Sequence, residues 1–165
     1  MSVVIGKNTY ELLNRQVTEE LASYYLYLGM ASALAEAGLN GCAKWMKAQA
    51  AEEQVHAMKI FEHIEARGEP VRLFAIAAPK YEWKSPVNVF EAMLAHEQKV
   101  TSLIMAIYES AVKEKDYATM SFIQWFINEQ VEEEDTARTL LEKIQKVKTS
   151  DSGMFLFDAE LAERK

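Results

Sequence analysis

The sequence predicts an all-α protein: a four-helix bundle with one long crossover and a short fifth helix at the C-terminal end. Three observations carry this. Half of the 165 residues are hydrophobic, yet only six glycines and three prolines interrupt them, which favours long unbroken helices. Apolar side chains recur at alternating steps of three and four along four segments. The links between those segments are short, long and short in that order. One domain, 1–165, is the expectation for a chain of this length.

The first helix is expected over about 8–37, ending at Gly38, a residue suited to the left-handed turn that closes a helix. Asn40 is the expected cap of the second, which runs over about 40–67 and meets Gly68. The stretch "GEPVRLFAIAAPKYEWKSP" then supplies a strap over about 69–85, and Ser85-Pro86 opens the third helix, about 86–114, in cap-then-first-turn order. Asp116 is the expected cap of the fourth, about 117–148. Beyond "TSDSG" the apolar piece "MFLFDAELAER" predicts a fifth helix over about 154–163. The short links make each flanking pair an antiparallel hairpin. The strap can span up to about 60 Å, against about 42 Å for a helix of this length, so it can cross the whole bundle and leave the second and third helices parallel.

Each helix's inward stripe is apolar and broken near its middle. The breaks are Glu20 on the first, Glu53 with His56 on the second, Glu97 on the third, and Gln130 with Glu133 on the fourth. Counted from the two short turns, these positions agree in depth within roughly two helical turns, so the side chains should converge near mid-bundle. Four buried carboxylates with no basic residue on the same stripes repel one another and lose hydration, and divalent cations relieve both costs. Oxygen ligands with one imidazole suit first-row metals, and shared carboxylates suit a pair of ions. His63 and His96 have no such partners and are expected at the surface or as supports behind the ligands.

Composition excludes other classes. The net charge of −7 disfavours nonspecific nucleic-acid binding, no apolar run approaches bilayer length, and "MSVVIGKNTYELL" lacks a secretory pattern, so a cytoplasmic location is expected. The single cysteine, Cys42, excludes internal disulfides and thiolate clusters and is expected as a small buried residue.

The segments "LNRQVTEELASYYLYLGMA", "AAEEQVHAMKIFEHI", "HEQKV" and "FIQWFINEQVEEE", in this order and spacing, resemble the non-haem ferritins of bacteria and archaea over almost the whole chain. The resemblance implies a ferritin-like bundle with an iron-oxidising di-iron centre, in a hollow assembly of 24 subunits that stores ferric mineral. Glu20, Glu53 and His56 match the first iron site, Glu53 bridges to a second completed by Glu97 and Glu133, and Gln130 lies close by. Tyr27 matches a tyrosine beside the centre and, with Gln130, is a candidate catalytic residue; Trp125 matches a nearby tryptophan that gives an electron or packs. Glu52, Glu129 and Glu132, sharing Glu133, match a third iron site. The implied substrates are Fe(II) with dioxygen or hydrogen peroxide. Haem is not expected, because Gln54 stands where bacterioferritins carry their haem-ligating methionine; where they carry a second E-x-x-H on the fourth helix, this chain has Gln130 and Glu133. One cysteine does not suffice for the rubrerythrins, and the intrabundle ligands and "AELAERK" ending fit the DNA-shielding miniferritins poorly. Two other readings remain: a soluble di-iron oxidase acting on an organic substrate, and a metal-free structural bundle.

Overall fold

The computed structural model describes residues 4–164; residues 1–3 and 165, the ends of the expected single domain, lie outside them. Five helices follow one another: α1 (Lys7–Glu36), α2 (Asn40–Ala66), α3 (Pro86–Glu114), α4 (Tyr117–Val147) and α5 (Asp151–Ala162), with no strand among the described residues. α1 closes at Gly38, whose φ of 80° is the left-handed conformation glycine adopts freely, and Leu39 N donates back to Leu34 O at 2.9 Å. α3 opens with Ser85 Oγ accepting from Asn88 N, and α4 with Asp116 Oδ1 accepting from Thr119 N.

Two boundaries differ from the sequence reading. Asn40 is the first helical residue of α2, not its cap, and Leu39 at the cap position makes no side-chain bond. A first-turn amide is satisfied from afar: Asp158 Oδ1 of α5 accepts from N of the buried Cys42 at 2.7 Å. α5 comes this close because residue 41 is glycine, where an added Cβ would collide with the Asp158 carbonyl. α5 itself begins at Asp151, earlier than expected, because Ser150 Oγ caps it through Gly153 N at 3.0 Å.

The strap climbs α1 in register. Tyr10 Oη donates to the Pro70 carbonyl, Arg72 N donates to Asn14 Oδ1 at 2.6 Å, Phe74 N donates to Thr18 Oγ1 at 3.1 Å, and Pro79 and Lys80 pass against Gly29. The chain is thereby returned to the end where α2 began, so α2 and α3 run parallel.

Two apolar clusters fill the interior. One gathers Leu34, Met46, Phe90, Ile144 and the α5 residues Phe157 and Leu161; the other gathers Leu13, Ile60, Ile104 and Ile123. Between them lies a polar layer.

Candidate metal centre

The layer is made of the residues that break the four stripes. Glu20, Glu53, His56, Glu97, Gln130 and Glu133 are all buried, none more than 8% exposed. Among the described residues, ligand atoms of Glu20, Glu53 and His56 lie within 4.8 Å of one another, and so do those of Glu53, Glu97 and Glu133. Glu53 belongs to both sets. A third set joins His56, Glu129 and Glu133.

The electrostatics follow from burial without countercharge. Burial and the neighbouring Glu53 charge push the Glu20 carboxyl well above its usual range, and Glu20 Oε2 is buried with no hydrogen-bond partner. The same two causes raise Glu97 to about 8 and Glu133 to about 7. Burial acts upward on Glu53 too, but the hydrogen bond and charge of His56 and the Gln49 amide outweigh it and hold this carboxyl low. His56 Nδ1 lies 3.4 Å from Glu53 Oε2; burial works against its proton, and Glu53, Glu133 and Glu129 together raise it nonetheless. In the metal-free protein at neutral pH the balance therefore favours charge on Glu53, with His56 sharing in balancing it, and protons on Glu20 and Glu97, with Glu133 partly protonated.

Tyr27 is fully buried and its hydroxyl donates to Glu97 Oε1. Burial and the Glu97 charge keep it protonated. Gln130 Nε2 contacts the Glu97 carbonyl at 3.2 Å and Glu97 Oε2 at 3.3 Å, so it steadies Glu97. Trp125, 37% exposed, meets the His56 ring edge-on at 5.5 Å, with Lys59 Nζ 4.0 Å over its face. His96 bonds Ser23 and stands edge-on to Tyr27, a support behind the layer; His63 stacks on Phe122, away from it.

The expected third cluster is only partly assembled. A groove of about 590 Å³ opens beside the layer, walled by Glu52, Glu129, Glu132, Glu133, His56 and Trp125 among others. Glu129 joins the close set with His56 and Glu133, whereas Glu52 and Glu132 do not. Glu52 is paired instead with Arg164, at 2.7 Å. Two glutamines escaped the sequence reading. Gln16 Nε2 donates to Glu20 Oε1 at 2.8 Å, and Gln49 Nε2 donates to Glu53 Oε1 at 3.0 Å and Glu133 Oε2 at 2.8 Å. The signal was present: each glutamine stands four residues before the inward glutamate of its helix, hence on the same face.

A protein-family model described as a ferritin-like domain matches residues 10–147. The chain is 38% identical to a bacterial non-heme ferritin of Staphylococcus haemolyticus over 98% of this chain and 97% of that one. It is 36% identical to the bacterial non-heme ferritin of Bacteroides fragilis, over 98% and 100%. Among solved structures, an open pore ferritin from the hyperthermophilic archaeon Archaeoglobus fulgidus superposes with a TM-score of 0.97 at 42% identity, covering 100% of both chains.

Proposed function

The chain belongs to the ferritin-like family, and from that premise we propose that it is an iron-storage protein and a ferroxidase, oxidising Fe(II) to Fe(III) at the buried layer and retaining the ferric product. One observation carries the reading. All four helices contribute ligand atoms to overlapping sets within 4.8 Å, and no lysine or arginine ion-pairs with Glu20, Glu53, Glu97 or Glu133 among the described residues. Such a layer is matched to cations that arrive as substrate.

One Fe(II) binds among Glu20, Glu53 and His56, a second among Glu53, Glu97 and Glu133, with Glu53 shared. Incoming cations displace the protons that Glu20, Glu97 and Glu133 hold, so binding is charge-matched and releases acid. Tyr27 and Gln130 orient Glu97 from two sides, and Tyr27, bonded to that ligand, is positioned to supply an electron. A third, weaker Fe(II) binds in the groove on Glu129 and Glu133, since His56, the remaining member of that close set, is taken by the first ion. The oxidant is dioxygen or hydrogen peroxide. Haem has no part: Gln54 is an exposed glutamine on α2.

Iron storage calls for an enclosure, and the chain offers surfaces to build one. Tyr25, Leu73, Phe74 and Tyr81 are exposed along α1 and the strap, and Phe155 and Leu156 on α5. Leu26 and Phe61, by contrast, are partly buried and pack against the two core clusters. We assign the exposed groups to contacts between copies of this chain in a hollow shell, of 24 subunits by family expectation, working in the cytoplasm. No helix among the described residues is long and apolar enough to cross a membrane.

An anaerobic Fe(II) titration followed by air, read by absorbance and particle mass, tests the reading. Saturable binding followed by ferric mineral inside a large particle is the expected result. Oxidation without mineral retention points to an oxidase with an organic substrate, and no binding points to a structural bundle.

A further inference from the structure

The C-terminal end of the chain reaches back to the metal centre. Arg164, just beyond α5, lays its guanidinium 4.2 Å over the Trp45 ring. From there Nη1 donates to Gln49 Oε1 at 3.0 Å and contacts the Trp45 carbonyl at 3.5 Å, while Nη2 donates to Glu52 Oε2 at 2.7 Å. Only 20% of the arginine side chain is exposed, against 51% for Glu52.

Two consequences follow from donor chemistry. A primary amide has an accepting end and a donating end, and a guanidinium only donates. With Arg164 on its oxygen, the Gln49 NH₂ is turned toward Glu53 and Glu133, to each of which it donates. The flipped amide would set NH₂ against guanidinium and its oxygen against two carboxyl groups. Arg164 thereby selects one of two orientations. Its second nitrogen holds Glu52, on the groove wall, in an ion pair, which leaves His56, Glu129 and Glu133 as the close ligand set there.

We infer that Arg164 is a positioning residue of the iron site: it locks Gln49 in the orientation that ties Glu53 to Glu133, and it withholds Glu52 from cations in the groove. The inference rests on the proposed iron chemistry and adds to it a control exerted from the end of α5. The planar fork matters. A lysine can keep the charge beside Glu52 but cannot bond Gln49 and Glu52 with two fixed parallel donors.

The test uses the full chain as parent, Arg164→Ala and Arg164→Lys, with Co(II) alone added anaerobically and, separately, Fe(II) oxidation followed in air. Parent Co(II) binding and oxidation test the functional reading by itself; a parent that binds no Co(II) overturns that reading and this inference with it. Arg164→Ala should tighten the weakest Co(II) step by roughly two- to fivefold, the range of a half-exposed ion pair, and Glu52→Gln in the same background should reverse the gain. Fe(II) oxidation in Arg164→Ala should slow by about tenfold, the size of a lost support behind a ligand. Arg164→Lys should restore the Co(II) isotherm but not the rate. An unchanged isotherm and rate in Arg164→Ala overturn the inference, including when thermal stability falls, since Arg164 then only anchors α5. Full recovery of the rate by lysine overturns the orienting role.

Discussion

The buried layer and the groove beside it share His56 and Glu133, yet they neutralise their carboxylates by different means. In the layer, burial and the Glu53 charge favour protons on Glu20 and Glu97 at neutral pH, and in part on Glu133. In the groove, Lys59 and Arg164 stand among the acids, and half-exposed Glu52 is ion-paired. Depth decides which solution is open. A carboxylate in water can be screened by a mobile side chain, whereas those between two apolar clusters need a proton, a metal ion or, as at Glu53, a buried imidazole and amide donors. The layer should therefore bind cations tightly with proton release, and the groove weakly with little.

The largest effect should come from the residue the two deep ligand sets share. Glu53→Ala should slow the initial Fe(II) oxidation on the order of a hundredfold or more while helical content is unchanged, measured by stopped-flow absorbance and circular dichroism. A rate equal to the parent's would remove Glu53 from the bridging position.

Next is the proton count. At pH 7 the parent should release roughly two to three protons per filled layer on binding Zn(II) in weak buffer, because Glu20 and Glu97 are protonated and Glu133 and His56 partly so. Glu97→Gln should release about one fewer. The same raised pKa values set the stability of the metal-free protein. Glu97 and Glu133 bind more protons folded than unfolded between the ordinary carboxyl range and about 8 and 7. Their contribution is therefore full at acidic pH and is lost as pH rises from the ordinary carboxyl range through those values, by on the order of 3 to 5 kcal/mol for each group. The raised His56 acts in the same direction above its usual value. Denaturant melts of the metal-free protein from pH 5 to 8 check the sign, and a midpoint that rises with pH contradicts it.

A smaller effect separates the groove from the layer. Glu129→Ala with Glu132→Ala should keep rapid oxidation of the first two ions per subunit, remove a weaker third Fe(II) from anaerobic titrations, and alter the oxygen consumed per iron. Because Glu129 alone belongs to a close ligand set, Glu129→Ala should reproduce most of the change and Glu132→Ala little of it. Equal effects of the two single variants would mean that the groove binds by general acidity. The smallest expected signal is a null one: added haem should give no stoichiometric complex by absorbance.

The layer was legible in the sequence because helices carry a period. Glu20, Glu53, Glu97 and Glu133 fall on inward stripes at matching depth, and the rigid rise of a helix turns that register into position. The strap was legible from its length and prolines. What could not be read depended on how α5 packs. The Asp158 cap on α2, the Arg164 contact to Gln49, and the diversion of Glu52 join residues more than a hundred positions apart through a short helix. No periodic pattern encodes them. The supporting glutamines lie between these cases: Gln16 and Gln49 share their glutamates' faces, but polar residues near a stripe edge commonly face water, so the pattern alone did not distinguish them.

The division of the core into two clusters has a consequence for how the chain acquires its structure. Each cluster draws on all four long helices, since Leu13, Ile60, Ile104 and Ile123 meet at one end and Leu34, Met46, Phe90 and Ile144 at the other. Neither hairpin owns a complete core. During synthesis α1 and α2 emerge well before α3 and α4, and their apolar stripes must wait for the strap and the second hairpin to arrive. The first hairpin alone leaves its apolar stripes without partners until then, and completing either cluster requires contacts distant in sequence, the kind that slow folding.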